Sequence, residues 1–442
     1  MMRYTKRFIV IMTVLSLVIL TACGHQEYAA DEDLEQSFTT GLLDSIRSFF
    51  GMEEEPMYEV EDVNLEFTQA QSVFSHRLYQ TIMDLNEEEQ NVIISPLSIA
   101  LALALTYNGA DGETKSEMEL ALHLQGYSID EINEAFKVLK NVLAHADEQV
   151  EININESLWT AEGIELQEDF VGRMTEYYGA DITELDFTIN ESVERINKWV
   201  REGTNNKIEQ IVDRLDPQTT LVLLNTVYFL GSWTIPFEEG MTQNKTFHLS
   251  DGTTKQHPMM ARSGSFAYYE NDQLQAVKIS YGEQLFNMHI LLPQEGHSVN
   301  EVSQRLFSSS ENTTEEWNVI LEGYTPQQVN LSIPRFELEY ELQLNEALQS
   351  MGMSKAFGTE ADFSKMLDSG GIWIDEVKHK TYIRTDEKGT EAAASTSVAM
   401  PTSLPLDQIT MTVDRPFLFF IIEEQTDTIL FMGSISNPED VE

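Results

Sequence analysis

Few residues in this chain are spaced for catalysis, and the most conspicuous stretch is built to be acted upon. The 442-residue sequence has one cysteine, Cys23, and nine scattered histidines, with no Gly-x-Ser-x-Gly elbow and no His-Glu-x-x-His helix. A hydrolase needs a nucleophile activated by a nearby base, or a metal held by ligands at fixed spacing. Enzyme activity is therefore the weakest reading, and neither a cofactor nor a metal is expected. The unusual segment lies between Thr385 and Asp414. From Ala392 through Leu406 fifteen residues pass without a charge, in a chain where 23% of residues are charged. That stretch is too poor in large apolar side chains to be core, and a long connection without its own structure signals a functional loop. It reads as exposed, uncharged bait.

A second chemical feature sits at the start. Arg3, Lys6 and Arg7 precede an apolar run from Phe8 to Leu20, and Thr21 and Ala22 lead into Cys23. This layout reads as an export signal, and the run is shorter than the roughly twenty apolar residues of a membrane span. Leu20-Thr21-Ala22-Cys23 resembles the lipobox of bacterial lipoproteins. Residues 1–22 are then a signal peptide, and Cys23 becomes a lipid-carrying N-terminus. The competing reading is a signal cut elsewhere with an incidental cysteine. No disulfide can form within the molecule, so an exported domain must rely on its core.

Composition narrows the class further. With 42% hydrophobic and 10% aromatic residues the chain can bury a large core. It carries 27 Lys and Arg against 74 Asp and Glu, a net charge of -47. Loss of residues 1–22 removes three basic residues and no acidic one, leaving a charge of about -50. Nucleic acid is excluded as a partner, because binding it needs basic patches that neutralise phosphates. Residues 23–63 are acidic and lack a sustained strand pattern, which suggests a tether spanning roughly 35 Å. Within it, Leu42, Leu43, Ile46, Phe49 and Phe50 recur at helical spacing, as in a docking helix or a transient one.

The elements that would position the loop begin near Asn64. In Asn91 to Tyr107, Ser95 can cap a helix with Pro96 at its first position. That helix is apolar on every side, so it belongs in the middle of a core. Asn190 can cap a surface helix whose Val193, Ile196, Trp199 and Val200 form one stripe. Leu221 to Leu230 is a nearly continuous apolar run, as expected of a central strand covered on both faces, and Asn225 within it must find partners. Val329, Leu331 and Ile333, then Phe336, Leu338 and Tyr340, alternate in strand fashion around Pro334. A helix ending near Gly352 follows. Pro416 to Ile422 and Thr428 to Gly433 read as a hairpin turning at Gln425-Thr426-Asp427. Helices come mostly first and strands mostly later, which predicts an α+β fold.

Several of these segments carry a resemblance. Asp386-Glu-Lys-Gly-Thr-Glu-Ala-Ala-Ala-Ser-Thr396 resembles the reactive-loop hinge of inhibitory serpins. Asn91 to Ala100 is similar to that family's buried helix, Asn225 to Phe237 to its breach strand with Trp233, and Asp414 to Ile421 to its C-terminal signature. Asn197, Trp199, Thr204 and Lys207 fit the helix that crosses the main sheet. The resemblance runs from residue 64 to the end. It implies a large central mixed sheet, surrounding helices, a C-terminal β-hairpin and an exposed reactive loop. It also implies a suicide inhibitor of serine-type or cysteine-type endopeptidases: the protease cuts the loop, is acylated, and is carried off as the loop inserts into the sheet as a new strand. Strand insertion of this kind releases stored strain. The hinge would be Glu387, Gly389, Thr390, Ala392, Ala393, Ala394, Ser395 and Thr396. Ser95, Ser98, Asn225 and His379 would form the cluster that gates opening, with Trp233 at the breach.

Strand parity explains the hinge composition. Once inserted, Thr390, Ala392, Ala394, Thr396, Val398 and Met400 share one face, all small or apolar, while Glu391 takes the other. Burying that carboxylate would be costly, so the first set faces the core. Family spacing from Gly389 places the cut after Ser403, whereas Pro401-Thr-Ser-Leu-Pro405 suggests a cut after Thr402. A Met400 or Leu404 site stays open as well. The small residues suggest a target with a small apolar primary pocket, of elastase or subtilisin type. The expected protein is a monomer on the outer face of the cell membrane, anchored only through lipid on Cys23. The rival reading is a non-inhibitory serpin-like binding or scaffold lipoprotein.

Overall fold

The computed structural model describes residues 58–86, 90–307, 313–390 and 408–441. The signal and tether segments, with Cys23 and the stretch 42–50, lie outside them, as do residues 391–407. A 3-10 turn, Val60–Asp62, leads into helix α1 (Leu65–Leu85), where Asn64 accepts the Phe67 N–H. Tyr58 to Val63, which the sequence assigns to the tether, pack on the fold: Tyr58 N–H donates to Asn141 Oδ1 and Val63 is buried.

Strand β1 (Val92–Ile94) runs into α2 (Pro96–Gly109), all of whose residues are buried. Pro96 takes the first helical position as expected, but the Ser95 hydroxyl makes no capping bond. Helices α3 (Gly112–Ala121) and α4 (Ile129–His145) precede β2 (Val150–Ala161), α5 (Glu168–Tyr178), β3 (Asp181–Leu185) and α6 (Asn190–Gly203). Here the cap assignment fails by one residue. Ile189 holds the N-cap of α6, Asn190 is already helical, and the entry is tied by the Ser192 hydroxyl donating to the Asp186 carbonyl.

The later half is mostly strand: β4 (Leu221–Ser232), β5 (Gln243–His248), β6 (Thr254–Glu270), β7 (Leu274–Ser280) and β8 (Phe286–Pro293). Helices α7 (Val299–Phe307) and α8 (Thr313–Gly323) follow, then β9 (Thr325–Pro334), β10 (Phe336–Gln343) and α9 (Asn345–Ser350). The chain continues through β11 (Glu376–Thr385), the two-residue β12 (Gly389–Thr390), β13 (Ile409–Thr412) and the antiparallel hairpin of β14 (Phe417–Glu423) and β15 (Thr428–Ile435). One sheet runs β1-β15-β14-β8-β7-β6-β9-β13 with β5 on β6; the other, mixed, runs β10-β11-β4-β2-β3 with β12 on β4. The alternating pattern around Pro334 therefore hides a change of sheet, made at Arg335 between β9 and β10.

Strand β4 lies at the middle of the mixed sheet, buried on both faces. Its Leu221, Leu223, Val227 and Phe229 join the main core over α2, while Val222 and Leu224 join a smaller cluster with Ile196 and Val200 of α6. Helix α6 thus covers the outer face, and its Asn197 makes three bonds to the segment that follows. Asn197 donates through Nδ2 to the Val212 carbonyl (2.7 Å) and accepts the N–H groups of Ile211 (2.9 Å) and Val212 (3.1 Å). Asn197→Ala leaves three buried backbone groups without that partner. It should destabilise the protein by about 2–3 kcal/mol, read as a lower urea midpoint for the loss of native fluorescence.

Candidate functional site

The loop-bearing strand and the buried helix meet in one polar row. On the core side of the mixed sheet, His379 of β11 lies opposite Asn225 of β4, and Asn225 lies opposite Glu156 of β2. All three are buried. The Ser95 N–H donates to His379 Nε2 (3.0 Å), so the imidazole proton must reside on Nδ1, which donates to Asn225 Oδ1 (2.9 Å). The Ser98 hydroxyl donates to the same oxygen, and Asn225 Nδ2 returns a bond to the Ser98 carbonyl (3.0 Å). Burial pushes the His379 pKa down to about 3. Protonation would set an Nε2–H against the Ser95 N–H, so both ring nitrogens are satisfied only while the imidazole is neutral. Next to this cluster the buried Glu156 carboxylate meets Lys140 Nζ (2.7 Å) from α4; burial raises its pKa and the ammonium opposes the rise.

Above that row the sheet changes partner. β11 is paired with β4 only from Glu376 opposite Val222 to Thr381 opposite Val227. Higher on the same edge, Gly389 and Thr390 pair antiparallel with Ser232 and Gly231. Gly389 has φ +151, and a Cβ there would lie 2.1 Å from the Gly231 carbonyl oxygen, so no other residue fits this approach. The Thr390 hydroxyl bonds Tyr281 OH (2.8 Å), and Tyr281 stacks on Trp233 with ring centroids 4.3 Å apart. Trp233 in turn binds the turn before the hinge: its Nε1–H donates to the Asp386 carbonyl (2.9 Å) and its N–H to the Lys388 carbonyl (2.8 Å). Phe237 N–H donates to the Glu387 carbonyl (2.8 Å). The nearly buried Glu387 carboxylate accepts the Thr242 hydroxyl and faces Arg335 Nη1 at 3.7 Å. Thr242, Arg335, Asp386, Glu387 and Lys388 line a cleft of about 670 Å3 at the head of the sheet.

A family model for serpins (serine protease inhibitors) matches residues 69–438. The chain belongs to the serpin family. Among its relatives is an uncharacterized serpin-like protein of Thermococcus kodakarensis, 37% identical over 374 residues, which covers 83% of this chain and 84% of the relative. Human neuroserpin is 31% identical, with 80% of this chain and 87% of neuroserpin covered. The native state of tengpin, a thermophilic serpin, has the same fold, with a TM-score of 0.78 at 31% identity over 87% of this chain and 97% of that one. Thyroxine-binding globulin in complex with thyroxine aligns with a TM-score of 0.75 at 26% identity, over 85% of this chain and all of the other. Serpins are mostly protease inhibitors rather than catalysts, and some are binding proteins.

In this serpin Ser95, Ser98, Asn225 and His379 come together in space, although they are far apart in sequence. Ser98 acts through its hydroxyl and its carbonyl, whereas Ser95 contributes its backbone N–H and its buried hydroxyl has no partner. Trp233, Glu387, Gly389 and Thr390 form a second group. Ala392, Ala393, Ala394, Ser395 and Thr396 of the hinge and Thr402, Ser403 and Leu404 of the reactive bond lie outside the described residues. Sequence reasoning missed Tyr281, Thr242, Arg335 and the Lys140–Glu156 pair. A tyrosine after a strand and an arginine after Pro334 carry no local signal, since their roles come from elements distant in the chain.

The histidine sets a pH dependence. Its folded pKa of about 3 lies below the usual 6.5, so the stability it contributes is complete above pH 6.5 and drains away as pH falls from 6.5 toward 3. A single such group gives a slope of about 1.4 kcal/mol per pH unit in that window. His76, buried and lowered to about 4, acts in the same direction. Urea midpoints should therefore fall between pH 6.5 and 4, and less steeply in His379→Gln. Equal slopes in the two proteins would remove His379 from the account.

Proposed function

We propose that this serpin inhibits serine-type, and also cysteine-type, endopeptidases by presenting residues 391–407 for cleavage and then inserting the cut loop into the mixed sheet. The observation that carries the reading is the register of Gly389 and Thr390 on β4. Each further step along the loop moves one residue down β4, so Thr396 would fall opposite Asn225 and Met400 opposite Leu221. That run from Gly389 to Met400 equals the 12-residue length of β4. Partners across a ladder share a face. Thr390, Ala392, Ala394, Thr396, Val398 and Met400 would thus join the side of Leu223, Val227 and Phe229, and Glu391 the side of α6. Glu391 would therefore not have to enter the core.

The chemistry belongs to the target. Its nucleophile attacks the carbonyl of the scissile bond, at Thr402 or Ser403 with Met400 and Leu404 as neighbouring choices, and the amine of the next residue leaves. An acyl-enzyme remains, and insertion must outrun its hydrolysis. On the order of ten new backbone hydrogen bonds at about 1 kcal/mol each, with side-chain burial besides, supply roughly 10 kcal/mol or more. The uncut form is then metastable and persists for kinetic reasons. Small uncharged residues at the cut favour a target of elastase or subtilisin type. The protein itself is not an enzyme, works without a cofactor or metal as a monomer, and avoids nucleic acid because of its net charge of -47. We further propose that residues 1–22 export it, that lipid on Cys23 anchors it at the outer face of the membrane, from which it can be shed, and that the acidic stretch is a tether. Among the described residues no helix is long and apolar enough to cross a membrane.

Similarity to thyroxine-binding globulin supports a second reading, a binding or scaffold lipoprotein with this fold. The small residues at the hinge favour inhibition, since bulky or charged ones would hinder insertion. Incubation with elastase or subtilisin should yield a complex that survives denaturing electrophoresis; clean cleavage alone would select the second reading. Thr390→Arg drives a charge toward Tyr281 and the core, and it should shift the outcome from trapping to simple cleavage by roughly tenfold or more. Trapping as efficient as the parent's would refute the register argument. Nicking the loop should raise the unfolding temperature well above that of the intact protein.

A further inference from the structure

The C-terminal segment makes contacts that neither core packing nor the hinge requires. After β15 ends at Ile435 in the larger sheet, the chain crosses to β10, the outer strand of the mixed sheet. Ser436 and Asn437 N–H groups donate to Asn91 Oδ1 (2.8 and 2.9 Å), and Lys255 Nζ of β6 donates to Asn437 Oδ1 (2.6 Å) and to the Pro438 carbonyl. Pro438 is buried. The Glu337 N–H of β10 donates to the Glu439 carbonyl (3.2 Å). Last, Asp440 Oδ1 meets Arg335 Nη2 at 3.2 Å, and the other arm of that guanidinium faces Glu387 of the hinge turn. Among the described residues Asp440 and Glu387 are the two carboxylates paired with Arg335.

We propose that Asn437–Val441 is a strap that holds the β10–β11 half of the mixed sheet, and with it the hinge turn, in the closed position. A strand can enter between β11 and β4 only if the β10–β11 pair and the β4–β2–β3 block separate. The strap ties the first of these to β6 and to the end of β15, and its final carboxylate fixes the guanidinium that steadies Glu387. Removing it leaves Arg335 free to leave Glu387 and lets the edge of the sheet move. This inference rests on the insertion reading above, and it adds a control on when insertion starts.

The test compares spontaneous conversion of uncleaved protein to a heat-resistant, loop-protected form, during warm incubation at low salt, in the parent, in Asp440→Asn, in Arg335→Lys and in a chain ending at Ser436. Exposed ion pairs of this type correspond to about a two- to fivefold change in rate, so Asp440→Asn should convert faster by that factor. The truncated chain should convert faster still, or, if it does not fold, the two point variants decide. In 1 M salt, where the screening length is about 3 Å, the gap between parent and Asp440→Asn should close. A purely structural effect of the substitution would persist in salt and would overturn the electrostatic part. Equal conversion rates at low salt would overturn the strap. If nicking leaves the heat resistance of the parent unchanged, the insertion reading itself fails and the strap falls with it, a result distinct from equal rates in a protein that nicking does stabilise.

Discussion

The architecture hangs on a ladder that stops early. β11 and β4 are parallel neighbours whose pairing ends at Thr381 and Val227, although both strands continue beyond that point. Among the described residues, Gly389 and Thr390 pair with the edge of β4 that β11 leaves. Unpaired strand edges are ready templates for another strand, and here the nearest available strand is the chain's own next segment. Much of the head of the sheet serves this junction. Gly389 permits the close approach to Gly231, Tyr281 and Trp233 stack beneath Thr390, and Trp233 and Phe237 hold the carbonyls of the turn.

The same constraint explains the polar row lower down. Leu, Ile or Val at Asn225 and His379 would pack the two strands together more tightly, because apolar burial there is nearly complete. Polar groups make a seam whose strength depends on complete hydrogen bonding: a neutral imidazole with its proton on Nδ1, an amide oxygen receiving two donors, and a helix-start N–H directed at Nε2. Such a seam is firm while closed. It is also separable if each group finds a new partner, and the continued register would bring the hydroxyl of Thr396 to Asn225.

Charge shapes what surrounds the junction. In a chain so rich in carboxylates, two arginines near the hinge are each shared: Arg335 between Glu387 and Asp440, Arg384 between Glu337 and Asp386. Lys140 plays the corresponding part under the sheet, where it opposes the cost of burying Glu156. Partly exposed pairs of this sort contribute little to stability individually. Their effect is local, in setting which segment is held against which.

Local pattern was enough for what depends on neighbours in sequence. An all-round apolar run with Pro96 at its start gave a buried helix, the apolar run from Leu221 gave a doubly covered strand, and the last two runs gave the hairpin. The close approach at Gly389 follows from a property of the residue itself, while the charge-free stretch 392–406 lies outside the described residues. Cap chemistry was less legible: Ser95 and Asn190 have suitable side chains, but the Ser95 hydroxyl makes no capping bond while its N–H goes to His379, and the N-cap of α6 is Ile189. Only the tertiary structure decided the change of sheet at Arg335, the stacking of Tyr281 on Trp233, the Lys140–Glu156 pair and the path of the C-terminal segment. These join residues tens to hundreds of positions apart, and strand periodicity records which face a side chain takes, never which strand will lie beside it.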